Sequence, residues 1–186
     1  MEKIDEISEE KSKPLYCAIS GILLTMATGF LVFKLKPFNI LEYLSNKDKI
    51  FEIMLFIPVM FFIVLIHELI HICLFILFGK GKAKIKVSRN KKYGAIVIKQ
   101  VNKDVFYNKK EIILILLSPL VILSIILFFL MFVINMPFLI YFNLLLNVLG
   151  SSIDFYISIY LLIRHNKDIM INFDSDRTAM NIFSCS

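Results

Sequence analysis

Residues 53–78 read IMLFIPVMFFIVLIHELIHICLFILF, and among their 26 side chains only His67, Glu68, His71 and the thiol of Cys73 interrupt an apolar run. About 20 such residues suffice to cross a hydrocarbon core of roughly 30 Å as a helix. Three further runs, Leu15–Phe33, Ile112–Ile134 and Phe138–Ile163, hold 19, 23 and 26 residues. The reading is therefore four transmembrane helices over 15–33, 53–78, 112–134 and 138–163. The whole chain agrees: of 186 residues 58% are hydrophobic and 19% charged, against roughly 45–50% and about 25% in a soluble domain. A simple water-soluble globule is excluded.

Outside the spans lie pieces of 14, 19, 33, 3 and 23 residues, each below the roughly 40 that an unstapled fold needs. The expected fold class is thus all-α integral membrane, with a membrane domain over 15–163 between an N-terminal tail, 1–14, and a C-terminal tail, 164–186. The N-terminus carries five acidic residues against three lysines, unlike the basic start of a signal peptide, so Leu15–Phe33 is expected to be retained. Cys17, Cys73 and Cys185 have neither disulfide-framework nor zinc-finger spacing.

Lys and Arg number 3, 4, 11, 0 and 3 along the five extramembrane pieces, 17 against 4 when alternate pieces are pooled. Basic flanks stay in the cytoplasm, which places both termini and the loop 79–111 there. Contact of that loop with anionic lipid of the bilayer accounts for the net charge of +6; a nucleic-acid partner would need a recognition motif beside the lysines and is not expected. Within the loop, residues 82–87 (KAKIKV) alternate with period two, 89–92 (RNKK) read as a turn, and Tyr93–Lys99 is again β-prone. A β-hairpin follows. It suits either of two uses, an edge that pairs with an extended substrate or a basic hairpin lying on lipid.

The spans contain four groups that ionise near neutral pH besides thiols: His67, Glu68, His71 and Asp154. A charged side chain at a helix centre costs about 2.5–3.5 kcal/mol on insertion scales, and such residues mark functional sites. Three of them form His67-Glu68-Leu69-Ile70-His71, the pattern H-E-x-x-H. Residues i and i+4 share a helix face, so both imidazoles can reach one metal ion, with the intervening carboxylate placed as general base. With 3 His and 8 Glu in the chain, shuffling yields the pattern in on the order of 0.2% of sequences, so chance is a weak explanation. Interhelical hydrogen bonding is the plainer alternative use of such residues.

A hydrolytic zinc takes three protein ligands and an open position. At 1.5 Å per residue, Leu69 and Asp154 each come out about 5 Å to the cytoplasmic side of their span centres, which makes Asp154 the depth-matched third candidate. His165 lies roughly 16 Å further along. It reads as a surface residue, and Glu111 and Asp168 as solvated interfacial charges. Pro119, at a similar depth, withdraws an N–H and so frees a carbonyl one turn earlier; either a water-accessible bend or an ordinary membrane-helix proline fits. Asn147 precedes Asp154 by seven residues on the same face and could reach a substrate carbonyl, while Gly150, Ser151 and Ser152 allow close helix packing.

HELIH in an apolar helix, Ser118-Pro119 in the next span and Asn147 to Asp154 (NVLGSSID) in the last resemble the site-2-protease-like intramembrane metalloproteases, within them the small bacterial zincin membrane peptidases. The resemblance covers about residues 50–165. It implies Zn²⁺ held by His67, His71 and Asp154, Glu68 as catalytic base, Asn147 as a substrate contact, membrane protein or peptide substrates, and a bacterial cytoplasmic membrane. The chain departs from the pattern at Ile153, where related motifs tend to have glycine. The function expected is an intramembrane zinc endopeptidase. Its rivals are a catalytically idle metal-binding membrane protein, acting as regulator, chaperone or immunity factor, and a small metal-ion transporter component, although no inverted repeat is seen.

Overall fold

The computed structural model describes residues 2–7, 14–37, 50–89, 96–100, 104–165, 168–173 and 180–184. Three long helices, α1 (Pro14–Leu35), α2 (Ile50–Phe78) and α3 (Lys109–Val133), are long and apolar enough to cross a membrane. The run expected as one span over 138–163 is instead two helices, α4 (Pro137–Gly150) and α5 (Ser152–Arg164), bent by 44° at Ser151. The break is shallow in hydrogen-bond terms, since Ser151 N–H still donates to the Asn147 carbonyl and Phe155 N–H to that of Ser151. It falls in the run of small residues 150–152, which α1 approaches closely at Gly21. A Cβ on Gly21 would stand 2.4 Å from the Cβ of Ser152, so only glycine admits α1 at that distance.

Around this bundle the exposed faces stay apolar, as at Phe61, Phe62 and Leu65 of α2 and Ile125, Phe129 and Phe132 of α3. Water-facing helices carry polar residues there. Inside, Val32, Ile63, Leu127, Met131 and Leu144 form a shared core. At one end, Lys36 hydrogen-bonds the Met131 carbonyl near the C-terminus of α3, and buried Glu52 accepts the Leu139 N–H at the N-terminus of α4 (3.0 Å). Each side chain sits at the helix end whose dipole would favour its charged form.

The opposite end corrects the all-α expectation. The segments expected as tails form β1 (Glu2–Ile7), β5 (Ile169–Phe173) and β6 (Met180–Ser184), joined by β4 (Tyr107–Asn108) in an antiparallel sheet of order β1-β6-β5-β4. None of these segments could bury an apolar face alone. Together they close Ile7, Ile169, Ile171, Met180 and Ile182 over Ile112, Ile115 and Leu161 of the helices. In the strands IMINF and MNIFS the buried apolar residues stand two apart, Ile169 with Ile171 and Met180 with Ile182, on the face that meets the helices. Tyr107, fully buried, donates to the Phe75 carbonyl (3.1 Å) near the end of α2. Burial, with the Glu111 charge nearby, pushes its hydroxyl pKa up to about 12.

The expected hairpin is present as β2 (Ile85–Arg89) and β3 (Ile96–Gln100), antiparallel with Val87 opposite Ile98. Its turn, expected at Arg89–Lys92, lies outside the described residues beyond Arg89. Glu111, expected as a solvated charge, is structural: its carboxylate accepts the Asn108 N–H and the Asn108 side chain accepts the Glu111 N–H, both at 2.9 Å. That reciprocal cap starts α3 directly where β4 ends.

Candidate metal centre

Helix α2 presents His67 and His71 one turn apart, and the 44° break turns the first turn of α5 toward them. Asp154 Oδ2 then lies 3.6 Å from His67 Nε2 and 3.6 Å from His71 Nε2. All three donor atoms fall within 4.8 Å of one another, the one such His, Cys, Asp or Glu cluster among the described residues. Two ligands about 2.0–2.1 Å from a tetrahedral zinc stand about 3.4 Å apart, so the pairs at 3.6 Å fit one ion with little adjustment. Asp154, in the first turn of α5, also gains from the positive end of that helix. Ile153, beside Asp154, is 56% exposed.

The other nitrogen of each imidazole is held by an acceptor. His71 Nδ1 donates to the Ile115 carbonyl at 2.9 Å. Pro119 is four residues on, and a non-proline residue there would offer that carbonyl an N–H in the helix ladder. The proline therefore leaves the carbonyl to His71. His67 Nδ1 meets Asn147 Oδ1 at 3.3 Å, and Asn147 Nδ2 donates to Ser124 Oγ at 3.2 Å. With both Nδ1 atoms protonated, both Nε2 lone pairs face Asp154, the state a metal requires. Asn147 thus holds one nitrogen of His67 while Asp154 faces the other, the two residues lying seven apart on either side of the helix break.

Glu68 is half-buried and borders, with His67, an apolar cavity between α2 and α4. The candidates set aside in the sequence lie elsewhere: Asp168 is exposed, and His165 Nε2 is 3.2 Å from Asp5 Oδ2. There the Tyr160 hydroxyl donates to the same carboxylate at 2.8 Å. Burial opposes the Asp5 charge, yet Tyr160, the Glu6 N–H and His165 hold its carboxyl below the ordinary value. Sequence reasoning missed Ser124, the Ile115 carbonyl and Asn143, which shares the cavity wall. Of these only Asn143 left a trace, as an asparagine one turn before Asn147 in an apolar run.

Two histidines on one helical face, a carboxylate between them and a third donor from across the bundle make the donor set of a zinc metallopeptidase. Residues 60–169, more than half of the chain, match the family described as "Putative zincin peptidase", and the chain belongs to that family. Zinc is the metal this family implies, and the triad His67, His71 and Asp154 fits it. No curated protein matches the chain, and no solved structure does.

Proposed function

We propose that the protein is an intramembrane endopeptidase of the site-2-protease-like kind, hydrolysing peptide bonds of membrane-associated proteins or peptides. The observation that carries the proposal is the position of the donor triad. It lies about two turns or more inside both ends of a 29-residue apolar helix, against a second apolar helix and a bent pair. A peptidase site so placed is matched to substrates in the bilayer. Both termini and the loop 79–111 are assigned to the cytoplasm by the basic residues of these segments, and the membrane to a bacterial cell by the family resemblance; water reaches the site from the cytoplasmic side.

Zinc, when bound by His67, His71 and Asp154, supplies the Lewis acidity that polarises the scissile carbonyl and acidifies the attacking water. Glu68 takes a proton from that water as the new C–O bond forms and passes it to the amine nitrogen as the C–N bond breaks. The products are a carboxylate and an amine. Ile115 and Asn147 keep the two imidazoles in their ligating tautomer throughout. One N–H of the Asn147 amide serves Ser124; the other is available to a substrate carbonyl. A helical substrate unwinds locally before cleavage, because its carbonyls are otherwise bonded within the helix.

Glu68→Gln separates a peptidase from an idle metal-binding protein. The variant should retain zinc and lose at least about 10²-fold in cleavage rate, the low end of what a general base contributes. The readout is zinc content of the purified protein beside a comparison of membrane proteomes made with wild-type and variant chains. Wild-type processing by the Gln variant would sink the mechanism.

A further inference from the structure

Between α2 and α4 a cavity of about 120 Å³ runs from Glu68 and His67 along the aliphatic side chains of Met60, Ile63 and Val64. An apolar cavity of about 150 Å³ holds one benzene. This one therefore suits a single side chain and is far too small for a helix. Its wall includes Asn143, only 1% exposed, whose Nδ2 donates to the Leu139 carbonyl at 2.7 Å. The Asn143 Oδ1 has no hydrogen-bond partner among the described residues. A buried acceptor left unpaired costs roughly 1–3 kcal/mol, and such an orphan calls for a donor that arrives with a ligand or a water.

We propose that this cavity is the subsite for one apolar side chain of the substrate, aliphatic and of about leucine size, flanking the scissile bond. Asn143 is its positioning residue, taking the backbone N–H that accompanies that side chain. The proposal rests on the peptidase reading above, which puts the bond to be cut beside Glu68, at the cavity's polar end. It also selects between occupants that a membrane offers. A lipid acyl chain would suit the aliphatic wall but brings no donor for Asn143, whereas every peptide residue except proline and glycine brings both side chain and N–H.

Three variants change the cavity in different ways. Val64 is 53% exposed, so Val64→Phe can narrow the cavity with little disturbance of the core, and Met60→Ala widens it. Asn143→Leu keeps the branched shape, at somewhat greater bulk, and removes the acceptor together with the donor to Leu139. The probes are apolar peptides of about 25 residues, a membrane-spanning length, identical except for Ala, Val, Leu, Phe or Lys at one central position. Purified wild-type enzyme in lipid nanodiscs should cut the Val and Leu peptides best, with the bond located by mass spectrometry. Val64→Phe should shift the preference to Ala, Met60→Ala should shift it to Phe, and Asn143→Leu should raise KM about tenfold across the series without changing its order.

Equilibrium binding of the same peptides to the Glu68→Gln protein supplies a readout that needs no turnover. There the Leu peptide should bind at least tenfold more tightly than the Lys peptide, and Val64→Phe should erase the difference. Side-chain preference or Leu-peptide binding indifferent to Val64→Phe and Met60→Ala would overturn the subsite, as would displacement of bound Leu peptide by added phospholipid alone. An unchanged KM in Asn143→Leu would remove Asn143 from it. Peptide binding with no cleavage by wild-type enzyme would instead count against the peptidase reading, with the subsite still decided by the binding series.

Discussion

At the scale of residues, the centre depends on which nitrogen of each imidazole is free, and that choice is made by groups that never touch the metal. The plainest case is Pro119. A proline inside a helix is ordinarily a cost, since it removes one ladder hydrogen bond and crowds the carbonyl four residues earlier. Here the orphaned Ile115 carbonyl accepts from His71 Nδ1 at 2.9 Å. Pro119→Ala restores an N–H able to compete for that carbonyl. Zinc affinity should then fall about tenfold, within the 10–100-fold range for lost partners of metal ligands. The metal-free protein should be no less stable, because the helix gains a bond. Zinc titration and thermal unfolding of the metal-free chain measure the two together; unchanged affinity would leave the proline with only a bend to its credit.

At the scale of elements, the decisive feature is the break between α4 and α5, and α1 is the helix that seats it. Gly21 and Gly29 lie on α1, two turns apart, and make opposite demands. A Cβ at Gly21 would meet Ser152 Cβ at 2.4 Å, while one at Gly29 would meet nothing nearer than 3.5 Å, at Leu145 and Tyr141. Glycine inside a helix costs roughly 0.5–1 kcal/mol relative to alanine. Gly29→Ala should therefore stabilise by about that amount. Gly21→Ala should destabilise by about 1–2 kcal/mol net, overpacking outweighing the helical gain. It should also weaken zinc binding, because Ser152 and Asp154 share the first turn of α5. Thermal unfolding of the two variants in one detergent, with zinc affinity alongside, tests the contrast; equal effects would mean that α1 does not hold the break.

At the scale of the whole molecule, pairing of β1 with β6 puts the two chain ends side by side, and β4 brings the middle loop to the same sheet. The charge count independently pooled these three segments on one side. The sheet adds that they are one structure, tied to the bundle where Asp5 receives Tyr160 and His165 of α5 and its end. Reporter fusions at the N- and C-termini should both register the cytoplasm. Termini on opposite sides would contradict the sheet, whereas both outside would overturn only the orientation drawn from the lysines.

The amino-acid order alone carried the apolar runs, the helical spacing of His67, Glu68 and His71, and the pairing of Asp154 with them by depth. These were legible because hydrophobic length and the 3.6-residue period are local properties. The hairpin at 85–100 was legible for the same reason. What needed the folded chain was every feature built from partners far apart in sequence. The sheet closes because segments separated by more than 150 residues pool apolar faces too small to bury singly. The kink at Ser151 answers to Gly21 on another helix, and the tautomers of His67 and His71 answer to Asn147 and to a carbonyl of α3. The motif can thus be read from five residues, but its conversion into a three-donor site depends on packing among α2, α3, α4 and α5, which no local pattern encodes.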